Sequence, residues 1–370
     1  MVDLQTQHQR IEQEINKALQ EAIASAAFIN GPAVKQFARS LADYTKAGAV
    51  VTCGNGTDAL QIAMMALELK PGDEVIVPAF TYVATVEVIA LLGLTPIFID
   101  VDADTFNLDA TQLEALITKR TKAIVPVHLY GQCAPLQEIM QVAKQHQLYV
   151  IEDTAQALGA DYLYDDDKKQ KAGTVGTIGT TSFFPSKNLG CFGDGGAIFT
   201  NDQALGAYMR SISNHGQSEK YYHDEVGVNS RLDTVQAAVL NVKLAYLDEY
   251  CRRRQEAAAY YDRALAAVEG VQTPVRASYS THVFHQYTLK VADGQRDALR
   301  DYLKAQGIPS MIYYPLPLTH QKAYRHYAEG APLPVSEALC QQVLSLPMHP
   351  EMDEEQLSYI TDHVKRFFHG

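Results

Sequence analysis

The chain has 370 residues, is 47% hydrophobic and carries a formal charge of −12, which suits one large core with a smaller appended unit and excludes disordered and fibrous classes. So acidic a chain lacks the clustered Lys and Arg that a nucleic-acid or anionic-membrane surface needs, although a local basic pocket for a small phosphate is compatible with it. Its 5 cysteines are widely spaced without a Cys-x-x-Cys, so they point to neither a disulfide framework nor a thiolate zinc site and fit a reducing cytoplasm.

Residues 1–20 are rich in Gln and Glu and lack the apolar segment of a signal peptide. Ile11, Ile15, Leu19 and Ile23 recur every fourth residue and predict one amphipathic helix; a second is expected over residues 34–44, after the Gly31-Pro32 break. Beyond it, apolar runs at residues 74–77, 96–100, 123–127, 149–151, 181–184 and 197–200 read as buried strands, with helical stretches between most of them. The longest apolar stretch, residues 86–99, is broken by Glu87, Gly93 and Pro96 and falls short of the ~20 residues a membrane span needs. The charged run at residues 165–171 is expected to cap a surface hairpin. This alternation predicts an α/β fold with a mainly parallel sheet flanked by helices, and functional residues where strands end. Leu232, Val235, Val239, Val242 and Tyr246 mark one face of a long helix expected to continue to about residue 267. A domain boundary within it gives a large domain over residues 1–250 and a smaller C-terminal α+β domain over 251–370. The latter holds strand-like residues 286–291, a helix at 296–306 and a Pro-punctuated segment at 313–317.

The run Thr181-Ser-Phe-Phe-Pro-Ser-Lys187 sets a lone lysine between an apolar strand and a glycine-rich turn. Desolvation at a strand's end lowers an amine's pKa, so that its neutral form can attack a carbonyl; an exposed loop lysine is the alternative from this segment alone. The glycines follow the lysine instead of a strand and lack the Gly-x-Gly-x-x-Gly order of a dinucleotide fingerprint. A second apolar run, Leu148-Tyr-Val-Ile-Glu-Asp153, ends in two acids. Asp153 can pair with a protonated pyridine nitrogen, cap a helix or ligate magnesium, but no Gly-x-x-x-x-Gly-Lys-Ser/Thr loop accompanies it.

In Cys53-Gly-Asn-Gly-Thr-Asp58 a polar glycine turn feeds an apolar helix, where the first amides, from Gly56, and the Thr57 hydroxyl attract a phosphate or simply begin a capped helix. Asp58 is an awkward neighbour for an anion and is assigned a backbone contact or a contact to another group. The strand at 74–77 ends in aromatics: Phe80 is expected in the core and Tyr82 on the face of a flat cofactor. His282 and His285, three apart in a strand-like stretch, face opposite sides and do not share a metal; no metal site is expected.

The ordered motifs Phe28-Ile-Asn-Gly-Pro32, Asn55-Gly-Thr-Asp-Ala-Leu60, Pro78-Ala-Phe-Thr-Tyr-Val-Ala84, Glu152-Asp-Thr-Ala-Gln156, Ser182-Phe-Phe-Pro-Ser-Lys187, Gly227-Val-Asn-Ser-Arg231 and Tyr313-Tyr-Pro315 resemble those of the DegT/DnrJ/EryC1/StrS sugar aminotransferases. The resemblance implies the aspartate-aminotransferase-like fold (fold type I) and pyridoxal 5'-phosphate (PLP) as cofactor. It places Lys187 as the Schiff-base lysine, Asp153 on the pyridine nitrogen, Gln156 near the ring hydroxyl and Tyr82 on the ring face. Gly56, Thr57, Asp58 and Ser182 would surround the phosphate, with Asn229 reaching it from a second subunit, hence a homodimer with shared sites. Arg231, Tyr313, Tyr314 and His320 are the expected substrate contacts. Two departures stand out: Thr154 replaces the more usual Ala or Cys, and Thr319 intervenes before His320.

What the resemblance implies is a transfer in which glutamate gives its amino group to the cofactor and a keto nucleotide sugar then takes it, Lys187 moving the proton while Asp153 stabilises the ring nitrogen. Asn55-Gly-Thr-Asp58, Tyr130-Gly-Gln-Cys133 and Ser345-Leu-Pro-Met-His-Pro350 are similar to members that aminate C3 of UDP-2-acetamido-2-deoxy-3-oxo-glucuronate for surface polysaccharides; dTDP-linked 3-keto-6-deoxyhexoses are the near alternative. The Arg231 guanidinium would hold the C6 carboxylate of a uronate, or else pair with Asp233 or Glu225. A related dehydratase would carry His in place of Lys187, a nicotinamide enzyme would carry the glycine fingerprint, and a non-enzymatic regulator would not need Lys187, Asp153 and a phosphate turn together.

Overall fold

The computed structural model describes residues 1–292, 294–328 and 332–369. Helices α1 (Leu4–Arg10), α2 (Glu12–Ala24) and α3 (Pro32–Thr45) open the chain and lead into strand β1 (Ala49–Cys53). Then α4 (Gly56–Ala66), β2 (Glu74–Pro78), α5 (Ala84–Leu91), β3 (Thr95–Ile99), α6 (Leu113–Leu116), β4 (Thr121–Ile124), α7 (Leu136–His146) and β5 (Tyr149–Asp153) alternate. A hairpin of β6 (Asp161–Leu163) and β7 (Lys169–Lys171) precedes β8 (Ile178–Ser182), β9 (Gly196–Thr200) and α8 (Gln203–Ser213). The seven-stranded sheet has the order β1-β9-β8-β5-β4-β2-β3. Strands β8, β5, β4, β2 and β3 run parallel, whereas β9 and β1 pair antiparallel at one edge.

Helices cover both faces, so the central strands read as unbroken apolar runs instead of alternating ones. Successive side chains nonetheless divide between two cores. Val75, Val77, Ala123 and Ile151 pack with α4, while Ile76, Ile124 and Val150 pack with Ile139 of α7. Helix α4 buries Ala59, Leu60, Ile62, Ala63, Met64 and Ala66, apolar nearly all round because it lies between the sheet and neighbouring helices.

A small hairpin of β10 (Gln217–Glu219) and β11 (Tyr222–His223) is followed by α9 (Thr234–Leu244) and α10 (Leu247–Leu265). The chain then forms a three-stranded antiparallel sheet, β12 (Val271–Gln272), β13 (Tyr287–Val291) and β14 (Val343–Leu346), with α11 (Arg296–Ala305) and α12 (Pro334–Gln342) before β14 and α13 (Glu354–His369) closing the chain. Tyr261, Leu265, Leu289, Leu299, Leu303, Leu344, Ile360 and Val364 make a separate core around it.

Several expectations need correction. The helix predicted from Ile11 to Ile23 is α2, but a separate short helix, α1, precedes it, broken off at Ile11 (φ −123°), and was not foreseen; Ile11 and Ile15 meet Val239 in one apolar seam, whereas Ile23 is exposed. The long helix after Leu232 is also two. Backbone bonds from Ala245 to Val242 and from Tyr246 to Lys243 tighten the end of α9, and α10 starts afresh at Leu247. Strand β1 was not foreseen, because its five residues merge into the glycine turn that follows them. The strand expected at 181–184 lies earlier, at Ile178–Ser182, and β4 stops at Ile124. The charged run does lie in the β6–β7 hairpin. Among the described residues no helix is long and apolar enough to cross a membrane.

Candidate active site

At the C-terminal ends of the parallel strands lies a cavity of about 600 Å³, lined among others by Gly56, Thr57, Asp58, Tyr82, Asp153, Gln156, Ser182, Lys187, Tyr313 and Tyr314. Its floor is the end of β5. The Asp153 amide donates to the Pro126 carbonyl, and Thr154 N–H to the Thr180 carbonyl, which fixes this strand end between its neighbours. One Asp153 oxygen accepts from Ala155 N–H (3.0 Å) and the other from the Thr85 hydroxyl (3.3 Å). Burial pushes its pKa up; the Ala155 amide, Lys187, His128 and Thr85 oppose that shift. A carboxylate so placed gains from a cationic partner in the cavity.

Lys187 follows β8 on a loop tied by bonds from Phe183 N–H to the Gly195 carbonyl and from Cys191 N–H to the Phe183 carbonyl. Phe183 packs edge-on against Phe37, anchoring this loop in the core. Lys187 as a residue is only half-buried because it lines an open cavity. Its amine, however, is crowded by protein: desolvation lowers its pKa to about 8, against the attraction of Asp153. Desolvation alone does not single it out. Lys243 is more deeply buried and is likewise lowered to about 8, but it sits in another groove, beside Cys191 and Phe192, with no carboxylate ahead of it. What marks Lys187 is Asp153 in the same cavity.

The third wall is the start of α4. Asn55 caps this helix, its Oδ1 accepting Asp58 N–H at 2.8 Å. The Asp58 carboxylate accepts from the Ser230 hydroxyl (2.6 Å), which in turn accepts Gly54 N–H (2.9 Å). Asp58 is therefore held within the protein by both its amide and its carboxylate, so a phosphate cannot take that amide, and its acid faces Ser230. The Gly56 and Thr57 amides make no bond within the described residues, as expected of a helix's first turn, and remain available to an anion. A Cβ on Gly56 would lie 2.7 Å from Ser182 Cβ, so only glycine lets α4 start this close to β8.

Gln156 links two further walls: its Oε1 accepts Tyr130 N–H (2.7 Å) and its Nε2 donates to the Tyr314 hydroxyl (3.1 Å). The Tyr130 hydroxyl donates to the Tyr313 carbonyl. Tyr82, 56% exposed, has its ring centroid 6.4 Å from that of Tyr314, a flat aromatic side to the cavity, while Phe80 is buried as expected.

Three expected residues are absent from this wall. Asn229 is exposed on the loop before α9, bridged to Asn214. Arg231 does not line its own chain's cavity, and among the described residues it has no ion pair, so neither Asp233 nor Glu225 holds it. His320 is correctly sequence-adjacent to the Tyr-Pro segment but turns away on a short 3-10 helix, 3.5 Å from Glu337 with both exposed. Conversely, Asn55, Thr85, Phe184, His285 and Gln286 belong to the site and were not singled out. Asn55 had a legible signal as the polar residue before an apolar helix. His285 did not: residues 281–284 are irregular, not a strand, and Phe284 takes a positive φ of 45°, which redirects His285 and Gln286 to the cavity.

A buried carboxylate, a desolvated amine, unpaired helix-start amides and an aromatic side are what PLP requires, and the residues present fit it. Residues 9–365 match the model of the DegT/DnrJ/EryC1/StrS aminotransferase family. The chain belongs to this family. Its relatives within it include the UDP-2-acetamido-2-deoxy-3-oxo-D-glucuronate aminotransferase of Pseudomonas aeruginosa, 47% identical over 97% of this chain and 97% of that one. A pleiotropic regulatory protein of Geobacillus stearothermophilus is 46% identical over 100% and 98%. The solved structure of NtdA from Bacillus subtilis with bound cofactor PMP superposes with a TM-score of 0.89 at 32% identity, covering 97% of this chain and 82% of that one. Like other members of the DegT/DnrJ/EryC1/StrS family, this protein has fold type I and is a PLP-dependent sugar aminotransferase.

Proposed function

We propose that the protein transfers the amino group of glutamate to C3 of a UDP-linked 3-oxo sugar of the glucuronate type. The observation that carries the assignment of roles is the placement of Lys187 and Asp153 in one cavity beside the free amides of Gly56 and Thr57. PLP, when bound, supplies the electron sink that makes the donor's Cα–H acidic. Lys187 would hold PLP through its aldehyde and would hold and move the proton at Nζ; a lowered pKa leaves enough neutral amine for both tasks. Asp153 would pair with the ring nitrogen and keep it protonated, and the Thr85 and Ala155 donors hold that carboxylate in orientation. Gly56, Thr57 and Ser182 take the phosphate. Tyr82 would cover the ring face, Gln156 would hold the ring hydroxyl, and Tyr313 and Tyr314 would border the substrate.

Donor and acceptor use the same cavity in turn, so kinetics are ping-pong. The exposed loop bearing Asn229 and Arg231 completes the site of a second copy, which makes the working unit a cytoplasmic homodimer. The smaller domain begins within α10, near residue 251. Sequence likeness to the Pseudomonas enzyme supports the substrate class. The likeness to a protein named as a regulator supports a second, regulatory reading, but a regulator has no use for a desolvated lysine facing a buried acid. Glutamate turnover against a panel of keto nucleotide sugars tests the proposal. Turnover with UDP-linked 3-oxo sugars is expected; turnover only with dTDP-linked 6-deoxy sugars, or with none, overturns it.

A further inference from the structure

His285 and Gln286 line the cavity, each more than nine-tenths buried, and none of the roles above uses them. His285 Nδ1 and Gln286 Oε1 are buried without a hydrogen-bond partner. A stranded N–H costs more than a stranded lone pair, so the His285 proton belongs on Nε2, which has no partner among the described residues and opens on the cavity. By the same reasoning Gln286 offers its amide N–H2 there, beside the Tyr313 hydroxyl. The wall thus presents N–H donors. Burial, with the positive charges of Lys187 and Arg254, holds the His285 imidazole well below its usual pKa, so it stays a neutral donor.

Behind His285 lies a fully buried guanidinium. Arg254 Nη1 donates to the carbonyls of Phe284 (3.1 Å), His285 (3.4 Å) and Met348 (3.1 Å), and its Nε has no partner among the described residues. Among the described residues no carboxylate pairs with it. A buried cation without a counter-ion is costly, and its field extends through one residue into the cavity. The charged side chains lining the cavity are Asp58, Asp153, Asp194 and Lys187, an acidic balance that does not favour a further anionic group on the wall away from the Gly56 and Thr57 amides.

We propose that His285 and Gln286, with Arg254 behind them, form a carboxylate subsite. It takes a carboxylate of the amino donor or the C6 carboxylate of a uronate acceptor, and it rests on the aminotransferase reading. Holoenzyme is titrated calorimetrically with glutarate, which has two carboxylates and no amine. The two half-reactions are followed separately by cofactor absorbance, using glutamate, a 3-oxo-glucuronate nucleotide and its C6-hydroxymethyl counterpart; cofactor content corrects for folded protein. In His285→Phe and Gln286→Glu, glutarate affinity falls by about tenfold or more, or the KM of the uronate rises as much while the hydroxymethyl sugar moves less than about threefold. His285→Gln, which keeps an N–H donor, retains most of either property. Loss on glutarate assigns the subsite to the donor; loss confined to the uronate assigns it to the acceptor. The subsite is overturned if both variants bind glutarate and both sugars within about threefold of wild type, or weaken the two sugars alike with glutarate unchanged. A wild-type protein whose cofactor absorbance responds to no donor is a different failure, that of the aminotransferase reading itself.

Discussion

Two successive carboxylates at the end of β5 meet opposite fates. Glu152 is fully buried on one face of the sheet and accepts from His128 Nε2 (2.8 Å) and from the amides of Gly173 (2.8 Å), Val175 (2.8 Å) and Gly176 (2.6 Å). His128 is itself fixed, since its Nδ1 accepts Ala134 N–H at 3.1 Å. Asp153, one residue on and so on the other face, has among the described residues only the Ala155 and Thr85 donors and opens on the cavity. A saturated acid holds backbone in place; an unsaturated one is available to a ligand. The first therefore contributes stability and the second reactivity, and substitutions separate the two.

The largest effect is expected at Asp153. Asp153→Asn keeps the shape but not the charge, so turnover drops by about 100-fold or more, ~2.7 kcal/mol in the barrier, while much of the PLP stays bound. Steady-state kinetics at matched cofactor content measures this, and a rate within threefold of wild type breaks the comparison. Glu152→Ala strands four donors and lowers unfolding free energy by about 3 kcal/mol or more. Urea denaturation reads it as a lower midpoint with an unchanged slope. An unaltered midpoint means the network is not what holds this loop.

Which of these features the sequence revealed follows from their range. Lys187, Asp153 and the Gly56-Thr57 turn are local: each sits where a short apolar run meets a polar or glycine signal, and strand ends converge in a parallel sheet. The mainly parallel sheet flanked by helices was likewise visible as alternating runs of buried strand and helix. Roles created by distant contacts were not. Asp58 was legible as an awkward neighbour for an anion, but not the Ser230 hydroxyl, far along the chain, that holds its carboxylate. His285 looked like a strand residue until the positive φ of Phe284 turned it. Arg231 and His320 were placed by neighbours in sequence, and neither reaches its own chain's cavity.

A smaller effect, about tenfold in kcat/KM, is expected of Arg231→Lys with a uronate acceptor, because the charge remains and the bidentate fork is lost. The glutamate half-reaction should be unchanged; an equal fall in both assigns Arg231 to the donor or to the fold. Apart from these rate effects stands a pH effect on the stability of the cofactor-free protein. Lys187 titrates at about 8 when folded against 10.5 ordinarily, so the unfolded chain binds more protons between those values. Its burial therefore penalises stability fully below pH 8, and stability rises as pH climbs from 8 toward 10.5. Lys187→Met should flatten that slope in urea melts taken across this range, and an identical slope places the lowered pKa elsewhere.

The central claim is that Lys187, facing Asp153, holds the cofactor. Borohydride reduction of the holoenzyme followed by peptide mapping tests it directly, because the deeply buried Lys243 offers a competing amine of similarly lowered pKa. The predicted result is a single cofactor-labelled peptide containing Lys187, with no label and no turnover in Lys187→Ala. A label on Lys243 or any other lysine, with Lys187→Ala still fully active, would contradict it.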